Sequence, residues 1–310
     1  MQTLLTFELK PVVPFCLEFT AWALRRRAVN EVDRWDGTTY RRVIGIQGRT
    51  VEVSVCERGI PEASRLEVNV LGERLPAEAE AEAEIKALFT RMLGLQIDLD
   101  AFYRMAAREP RLRELAERYR GLKPVRFPTI FEALANAFAC QQFTIVAGVQ
   151  LLNRLARNGS VSFETEAGVV FGFPEPSDLL SLPLRTYRKL GFSRQKTNAF
   201  RELSGNLISR DFDLETLANR KNEDAMRFLL GLRGVGRWTA EYVLLRGLGR
   251  LDVFPGDDVG AQNGLAKWLH RSKPMDYANV RRALKRWEPY AGFIYFHLLM
   301  ESLRATEIIC

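Results

Sequence analysis

Two adjacent carboxylates, Asp257 and Asp258, follow a Pro255-Gly256 turn and precede a helical pattern that starts near Val259. Alone, such a pair reads as a helix N-cap, an Asp oxygen accepting from the amides of the first turn. One helix upstream stands Gly234-Val235-Gly236, between an apolar helix end at 228–230 and a helix opening at Arg237. Two alternating glycines let the backbone turn tightly and come close to a ligand. The free amides at the start of the second helix suit a phosphate oxygen, and Arg233 and Arg237 flank that place. Helix, hairpin and helix together form a clamp on one DNA strand that reads no bases. The same GxG taken alone is also an ordinary glycine turn between two helices. A carboxylate set beside a strand clamp has general acid–base and electrostatic chemistry open to it.

The bulk of the chain is compatible with that use. There are 45 Lys and Arg against 38 Asp and Glu, a net charge of +7, which points to a polyanionic partner, nucleic acid before membrane. With 47% apolar and 27% charged residues the chain has material for real cores, and its 310 residues suggest two or three domains. Cys16, Cys56, Cys140 and Cys310 form no CxxC pair and have no histidine cluster beside them, so they read as thiols in a reducing compartment. Residues 1–15 lack a basic segment followed by an apolar one, so no signal peptide is expected. The most apolar late stretch, 293–300, is far shorter than the ~20 residues that span a bilayer. The expectation is a soluble, intracellular monomer, cytoplasmic and nucleoid-associated in a prokaryote or nuclear in a eukaryote.

Residues 1 to about 75 carry β-branched and aromatic runs at 40–46, 50–56 and 65–71, separated by Gly37, Gly48 and Gly59. They predict an antiparallel sheet with one helix over 17–27. An Ala- and Glu-rich helix entry at 76–84 runs into 85–95, and from there the pattern is helical almost to the end. The segment 129–156 has helical spacing throughout, and an irregular stretch at 160–173 separates two helical blocks. The fold class is α+β: an antiparallel β-sheet N-terminal domain over 1–88, then a mainly α-helical core over 89–310. Within that core a hairpin-containing subdomain covers about 120–270, the remaining helices coming from 89–119 and 271–310.

The pattern of Gly234-Val235-Gly236-Arg237-Trp238-Thr239-Ala240, then Val253-Phe254 and Asp257-Asp258, resembles the HhH-GPD superfamily of DNA glycosylases, and within it DNA-3-methyladenine glycosylase II (AlkA type). Phe131-Glu132-Ala133 leading to Gln141-Gln142-Phe143-Thr144 resembles the family's buried helix and Gln-Gln turn. Leu190-Gly191-Phe192-Ser193-Arg194-Gln195-Lys196 resembles its leucine-glycine loop. The resemblance covers nearly the whole chain, most firmly Phe131 to Tyr295, and implies a sheet of the TBP-like kind ahead of a two-subdomain glycosylase core.

What it implies about roles follows residue by residue. Asp258 is the catalytic carboxylate beside a sugar on which positive charge builds, and Asp257 a helix cap or supporting group. Trp238 occupies the place where bifunctional relatives carry a Schiff-base lysine, so a monofunctional enzyme using water is expected. Trp238, with Tyr242 one turn on and Trp22 on the first helix, would stack on a flipped, electron-poor base. For Trp238 and Tyr242 the competing reading is plain core packing. Gln142 would fill the gap in the duplex, with Gln141 beside it. Arg233, Gly234, Gly236, Arg237, Arg194 and Lys196 would hold the DNA backbone. The carbonyls of Leu230, Leu232 and Val235 would hold a monovalent cation. No organic cofactor is implied. An iron–sulfur cluster needs several cysteines after the Asp, and only Cys310 follows it. Four positions depart from the prototype: Gln142 replaces a leucine, Leu299 a pocket tryptophan, Ala23 a pocket aromatic and Arg233 the hairpin proline. The function implied is excision of alkylated purines from duplex DNA. Two alternatives are a glycosylase for oxidised or deaminated bases, which the missing lysine disfavours, and a non-catalytic hairpin module that binds or senses DNA, which would need neither Asp258 nor an aromatic pocket.

Overall fold

The computed structural model describes residues 2–306, so Cys310 lies outside the described residues. Five strands form one antiparallel sheet in the order β1-β5-β4-β3-β2: β1 (Gln2–Leu9), β2 (Arg34–Trp35), β3 (Thr39–Ile46), β4 (Arg49–Arg58) and β5 (Arg65–Gly72). The turn between β3 and β4 is two residues, Gln47-Gly48, both with positive φ (48° and 72°), which matches the twist of the strands it joins. Val51, Val53 and Val55 of β4 and Leu66, Val68 and Val70 of β5 are all buried, one face of the pleat. β1 and β2 were not among the expected strands, although Phe7 and Leu9 of β1 are buried and alternate with Thr6 and Glu8.

The expected first helix is α1 (Leu17–Arg25), and the Ala/Glu-rich entry becomes α2 (Glu78–Met92). Ala81, Ile85, Phe89 and Met92 make a single buried stripe on α2. Then follow α3 (Asp100–Ala106), α4 (Pro110–Arg118), α5 (Ile130–Cys140), α6 (Ile145–Ala156), the hairpin β6 (Ser162–Thr165) and β7 (Gly168–Phe171), and α7 (Pro176–Ser181). The rest are α8 (Leu184–Leu190), α9 (Arg194–Ile208), α10 (Asn222–Leu230), α11 (Arg237–Arg246), α12 (Val259–Trp268), α13 (Tyr277–Leu284) and α14 (Ala291–Arg304). The irregular stretch at 160–173 is thus a two-stranded hairpin. Val161 and Phe163 pack on Val43 of the sheet, and a Cβ at Gly172 would meet the Val43 carbonyl at 2.7 Å.

Buried apolar residues fall into two main clusters. One joins the sheet, α1 to α4 and α12 to α14, while the other runs from Phe127 to Leu248. The sheet's core therefore continues past residue 88 into helices from both ends of the helical region. α5 belongs to the second cluster and is buried over 130–139, including Glu132 and Asn136. Its helical pattern continues into α6, but the backbone breaks between them: Gln142 has φ 58° and the Thr144 hydroxyl caps α6 through the Ala147 amide.

His297 of α14 is 1% exposed, ringed by Phe102, Tyr119 and Phe293, with Nδ1 bonded to the Phe293 carbonyl at 3.0 Å. Burial pushes its pKa down to about 4. The unfolded chain takes up this proton near 6.5 and the folded chain only near 4, so stability is lost as pH falls through that window. The expected loss from this site between pH 7 and pH 5 is about 2 kcal/mol. Urea unfolding of wild type and His297→Leu at both pH values measures it; equal pH dependence in the two proteins would refute the assignment.

Candidate active site

The hairpin is shaped by close packing. Gly234 has φ 80°, and a Cβ there would lie 2.8 Å from the Ala199 side chain of α9, so both backbone and space call for glycine. Gly236 is the N-cap of α11, and Val235 is buried beneath the turn. On α11, Trp238 and Tyr242 are one turn apart and their rings stack, 5.5 Å between centroids at 28°.

Asp258 faces that pair. Its Oδ2 accepts from Trp238 Nε1 at 3.2 Å and from the Tyr295 hydroxyl of α14 at 3.3 Å. Its Oδ1 accepts from the Ala261 amide at 2.9 Å, making it the N-cap of α12. Asp258 is thus the cap, and of the two roles expected of Asp257, helix cap or supporting group, the second remains. Asp258 is the residue immediately before the helix, with extended backbone at φ −71° and ψ 108°, and its carboxylate reaches the third helical amide. Asp257 instead receives the Arg237 guanidinium, Nε at 2.6 Å and Nη2 at 3.0 Å. Tyr295 stays protonated because burial, then the charge of Asp258, push its pKa well above the usual phenol range.

The turn that carries Asp258 is held from both sides. The Gly256 amide donates to Glu241 Oε2 at 3.0 Å, and the Gly256 carbonyl accepts from Gln262 Nε2 at 2.8 Å. The other Glu241 oxygen accepts from the Tyr277 hydroxyl at 2.6 Å, and the Arg237 guanidinium lies over the Tyr277 ring at 3.8 Å. Burial pushes the Glu241 carboxyl up, partly offset by these two hydrogen bonds. Behind the aromatic pair, Tyr242 accepts from Arg26 Nη1 at 3.2 Å, and Arg26 Nη2 donates to Asn136 of α5.

Other expected residues sit as follows. Gln141 donates to the Gly234 carbonyl at 2.8 Å and to Thr239 Oγ1 at 2.9 Å, tying the Gln-Gln turn to the hairpin. Gln142 is exposed, beside a half-exposed Phe143. Arg194 is exposed at the start of α9, and Arg233 pairs with Glu202 at 3.2 Å on the surface. Two expectations need correction. Lys196 is turned inward: its ammonium donates to the carbonyls of Ala139 (3.0 Å) and Gln141 (2.7 Å), and burial lowers its pKa to about 8. It braces the turn instead of offering its charge to a phosphate. Trp22 is 7% exposed in the sheet-side core with the Arg25 guanidinium over its ring at 5.0 Å; what the end of α1 sends to Tyr242 is Arg26. The sequence reading missed Tyr295, Glu241, Tyr277 and Arg26. Only Glu241 left a signal, as the one charged residue in the run 239–245. Among the described residues no group of three His, Cys, Asp or Glu is placed to hold a metal ion, and no helix is long and apolar enough to cross a membrane.

Residues 135–289 match the family described as HhH-GPD superfamily base excision DNA repair protein, and residues 6–132 match the AlkA N-terminal domain. The chain belongs to the HhH-GPD superfamily of base excision DNA repair proteins. It is 27% identical to the DNA-3-methyladenine glycosylase of Bacillus subtilis, over 75% of this chain and 78% of that one. It is 26% identical to DNA-3-methyladenine glycosylase 2 of Escherichia coli, over 89% and 90%. Among solved structures it is similar to the 3-methyladenine DNA glycosylase of Archaeoglobus fulgidus: TM-score 0.81, 25% identity, 98% of this chain and 100% of that one. In this HhH-GPD chain the two halves named by the family matches meet at α5, whose buried face carries Glu132 and Asn136.

The packing of the Asp258 turn makes a clear prediction. A Cβ on Gly256 would sit 2.6 Å from the Tyr277 ring, whereas one on Gly205 of α9 would meet nothing within 4 Å. Gly256→Ala is expected to destabilise the protein by about 1–3 kcal/mol and Gly205→Ala to stabilise it by about 0.5–1 kcal/mol. Chemical denaturation of both variants would show opposite shifts of the midpoint; an unchanged or raised midpoint for Gly256→Ala would mean the turn is not held as described.

Proposed function

We propose that this chain is a monofunctional DNA glycosylase that binds duplex DNA as a monomer and hydrolyses the N-glycosidic bond of flipped alkylated purines of the 3-methyladenine and 7-methylguanine type. The observation that carries the reading is the Asp258 carboxylate at the edge of the stacked Trp238–Tyr242 pair, with an indole and not an amine at position 238. The names of the similar bacterial and archaeal proteins point the same way.

On this reading the hairpin amides at Gly234 and Gly236 grip phosphates of the lesion strand. Gln142, exposed at the tip of its turn, enters the gap that the flipped base leaves. The cationic base stacks on Trp238, and as its bond to the sugar lengthens, Asp258 stabilises the positive charge that develops on the sugar. Water then completes the sugar, assisted by the same carboxylate, and an abasic site remains. With no lysine at position 238 no Schiff base forms and the strand stays whole.

The hairpin carbonyls of Leu230, Leu232 and Val235 are the groups we assign to a monovalent cation. Among the described residues no backbone amide donates to the Leu230 or Val235 carbonyl, while that of Leu232 accepts from the Val235 amide at 3.2 Å. A bound cation would add positive charge facing the phosphates.

The test uses duplex DNA treated with a methylating agent, with released bases scored by chromatography and strands checked before and after alkali. Wild type is expected to release methylated purines and to give breaks only after alkali, and Asp258→Asn to be slower by about 10²–10³. If no methylated base is released, or if breaks appear without alkali, the reading fails. Tyr295→Phe, which removes one donor to Asp258, is expected to lower the single-turnover rate about tenfold while leaving the affinity for lesion DNA unchanged. An unaltered rate would remove Tyr295 from the machinery.

A further inference from the structure

Phe143 is the one exposed aromatic residue among those described, with 48% of its surface open. The local backbone explains why it finds no cover. Its amide donates to the Cys140 carbonyl at 3.2 Å, closing a turn in which Gln141 has φ −53° and ψ 129° and Gln142 has φ 58°. Those angles and that bond mark a type II turn, whose third position favours glycine. Gln142 is held there against its backbone preference, and strain of this kind gathers where a side chain is needed. Phe143 follows, one residue ahead of Thr144, the cap of α6. An apolar residue at that place ordinarily packs on the fourth residue of the helix. Here the fourth residue is Gly148, and a Cβ on it would lie 2.6 Å from the Cys140 sulfur. The ring is left without an apolar partner on its own helix.

It is nevertheless held in place. The buried Lys196 ammonium lies 4.0 Å from the ring centroid and is itself fixed by the Ala139 and Gln141 carbonyls. A cation against the ring fixes its plane, and what remains open is a flat apolar surface. The turn that carries it is part of the frame of the candidate site. The Gln141 side-chain amide donates to the Gly234 carbonyl of the hairpin and to the hydroxyl of Thr239, the neighbour of Trp238. Gln142, Phe143 and Val146 are all exposed within five residues of that tie, so the tip offers one polar and two apolar side chains.

We propose that Phe143 is a second wedge residue: as Gln142 enters the gap left by the flipped base, the Phe143 ring stacks on a base of the adjoining pair and keeps that step open. The proposal rests on the glycosylase reading and on Gln142 as the plug. A nucleobase suits the ring because every base has a π-face, so the contact needs no sequence, and apolar side chains that enter a base step unstack it. The two residues divide the work by their chemistry. Gln142 hydrogen-bonds an orphaned partner base but supplies little stacking, and Phe143 supplies the stacking.

The experiment compares wild type with Phe143→Ala, Phe143→Leu and Phe143→Tyr, all at an exposed position, with thermal melting confirming the fold of each. Two duplexes of one sequence are used, one undamaged and one with a tetrahydrofuran abasic analogue in place of a nucleotide. Binding is followed by fluorescence anisotropy at about 50 and 200 mM salt. Phe143→Ala and Phe143→Leu are expected to bind the analogue duplex about tenfold more weakly than wild type, the size of one lost base–aromatic stack. Phe143→Tyr keeps the ring and should bind it as wild type does. On the undamaged duplex, whose stack is closed, all four proteins should bind alike. No charge is removed, so the salt dependence should be the same throughout. Equal weakening on both duplexes would make Phe143 a general surface contact, and no weakening on either would separate it from DNA; each overturns the wedge. Wild-type binding by Phe143→Leu, or weak binding by Phe143→Tyr, would overturn the stacking. If wild type itself does not prefer the analogue duplex to the undamaged one, the glycosylase reading has failed, an outcome separable from the others.

Discussion

The Arg42 guanidinium, 1% exposed, joins the two halves of this protein. From β3 it reaches Asp33 at 2.6 Å and both oxygens of Glu132 on α5, at 2.7 and 2.6 Å. Burial opposes its charge, and the two carboxylates more than restore it, so Arg42 stays protonated. Removing one partner of such a buried set leaves an uncompensated charge, a loss of about 3–5 kcal/mol. The consequence reaches the site in three steps. Glu132 fixes the start of α5, and Asn136 one turn on accepts from Arg26. Arg26 in turn holds the Tyr242 hydroxyl behind the aromatic pair. The sheet, which touches no group of the candidate site itself, thereby sets the back wall of the pocket.

A second constraint works from the other end. The Asp258 turn belongs in sequence to the link between α11 and α12, yet it is held by groups from three elements: Glu241 of α11, Gln262 of α12 and Tyr277 of α13. Gly256 is the only residue type that fits beneath the Tyr277 ring. Helix capping and carboxylate placement are here the same event, because the oxygen that closes α12 aims the other oxygen at Trp238 and Tyr295. A cap is ordinarily worth ~1 kcal/mol, and in this turn it also fixes one rotamer of the functional side chain.

Much of this could be read from the chain. Strands β3, β4 and β5, the hairpin, α11 with its two rings and the Asp pair each leave a local mark, in alternation, glycine spacing or helical period. The helix break at Gln141-Gln142 left no mark in hydrophobic period, since α5 and α6 share one apolar rhythm; only the resemblance pointed to it. Tyr295, Tyr277 and Arg26 reach Asp258, Glu241 and Tyr242 in turn from distant parts of the chain, through tertiary packing that no local pattern encodes. Lys196 shows the reverse failure. A lysine at a helix start reads as an exposed cation, but the carbonyls left free where α5 ends draw it inward, next to the Phe143 ring at 4.0 Å. Trp22 was placed by adjacency to Ala23, and a one-residue step on a helix turns a side chain by about 100°, here into the core under Arg25.

The contrast between the two neighbouring carboxylates argues most directly for their division of labour. Asp257 receives the forked cation of Arg237, so its charge is already answered. Every hydrogen bond recorded to Asp258 comes from a neutral donor, an amide, an indole and a phenol. Neutral donors orient a carboxylate without pairing it with a full charge, and the N-terminus of α12 adds only a partial positive charge beneath it. With the pairing as it stands, one unanswered negative charge faces the stacked rings, at the place where the proposed reaction would develop its positive one. Two acids adjacent in sequence are thus made unlike by their partners alone, one holding the frame and the other left free to act.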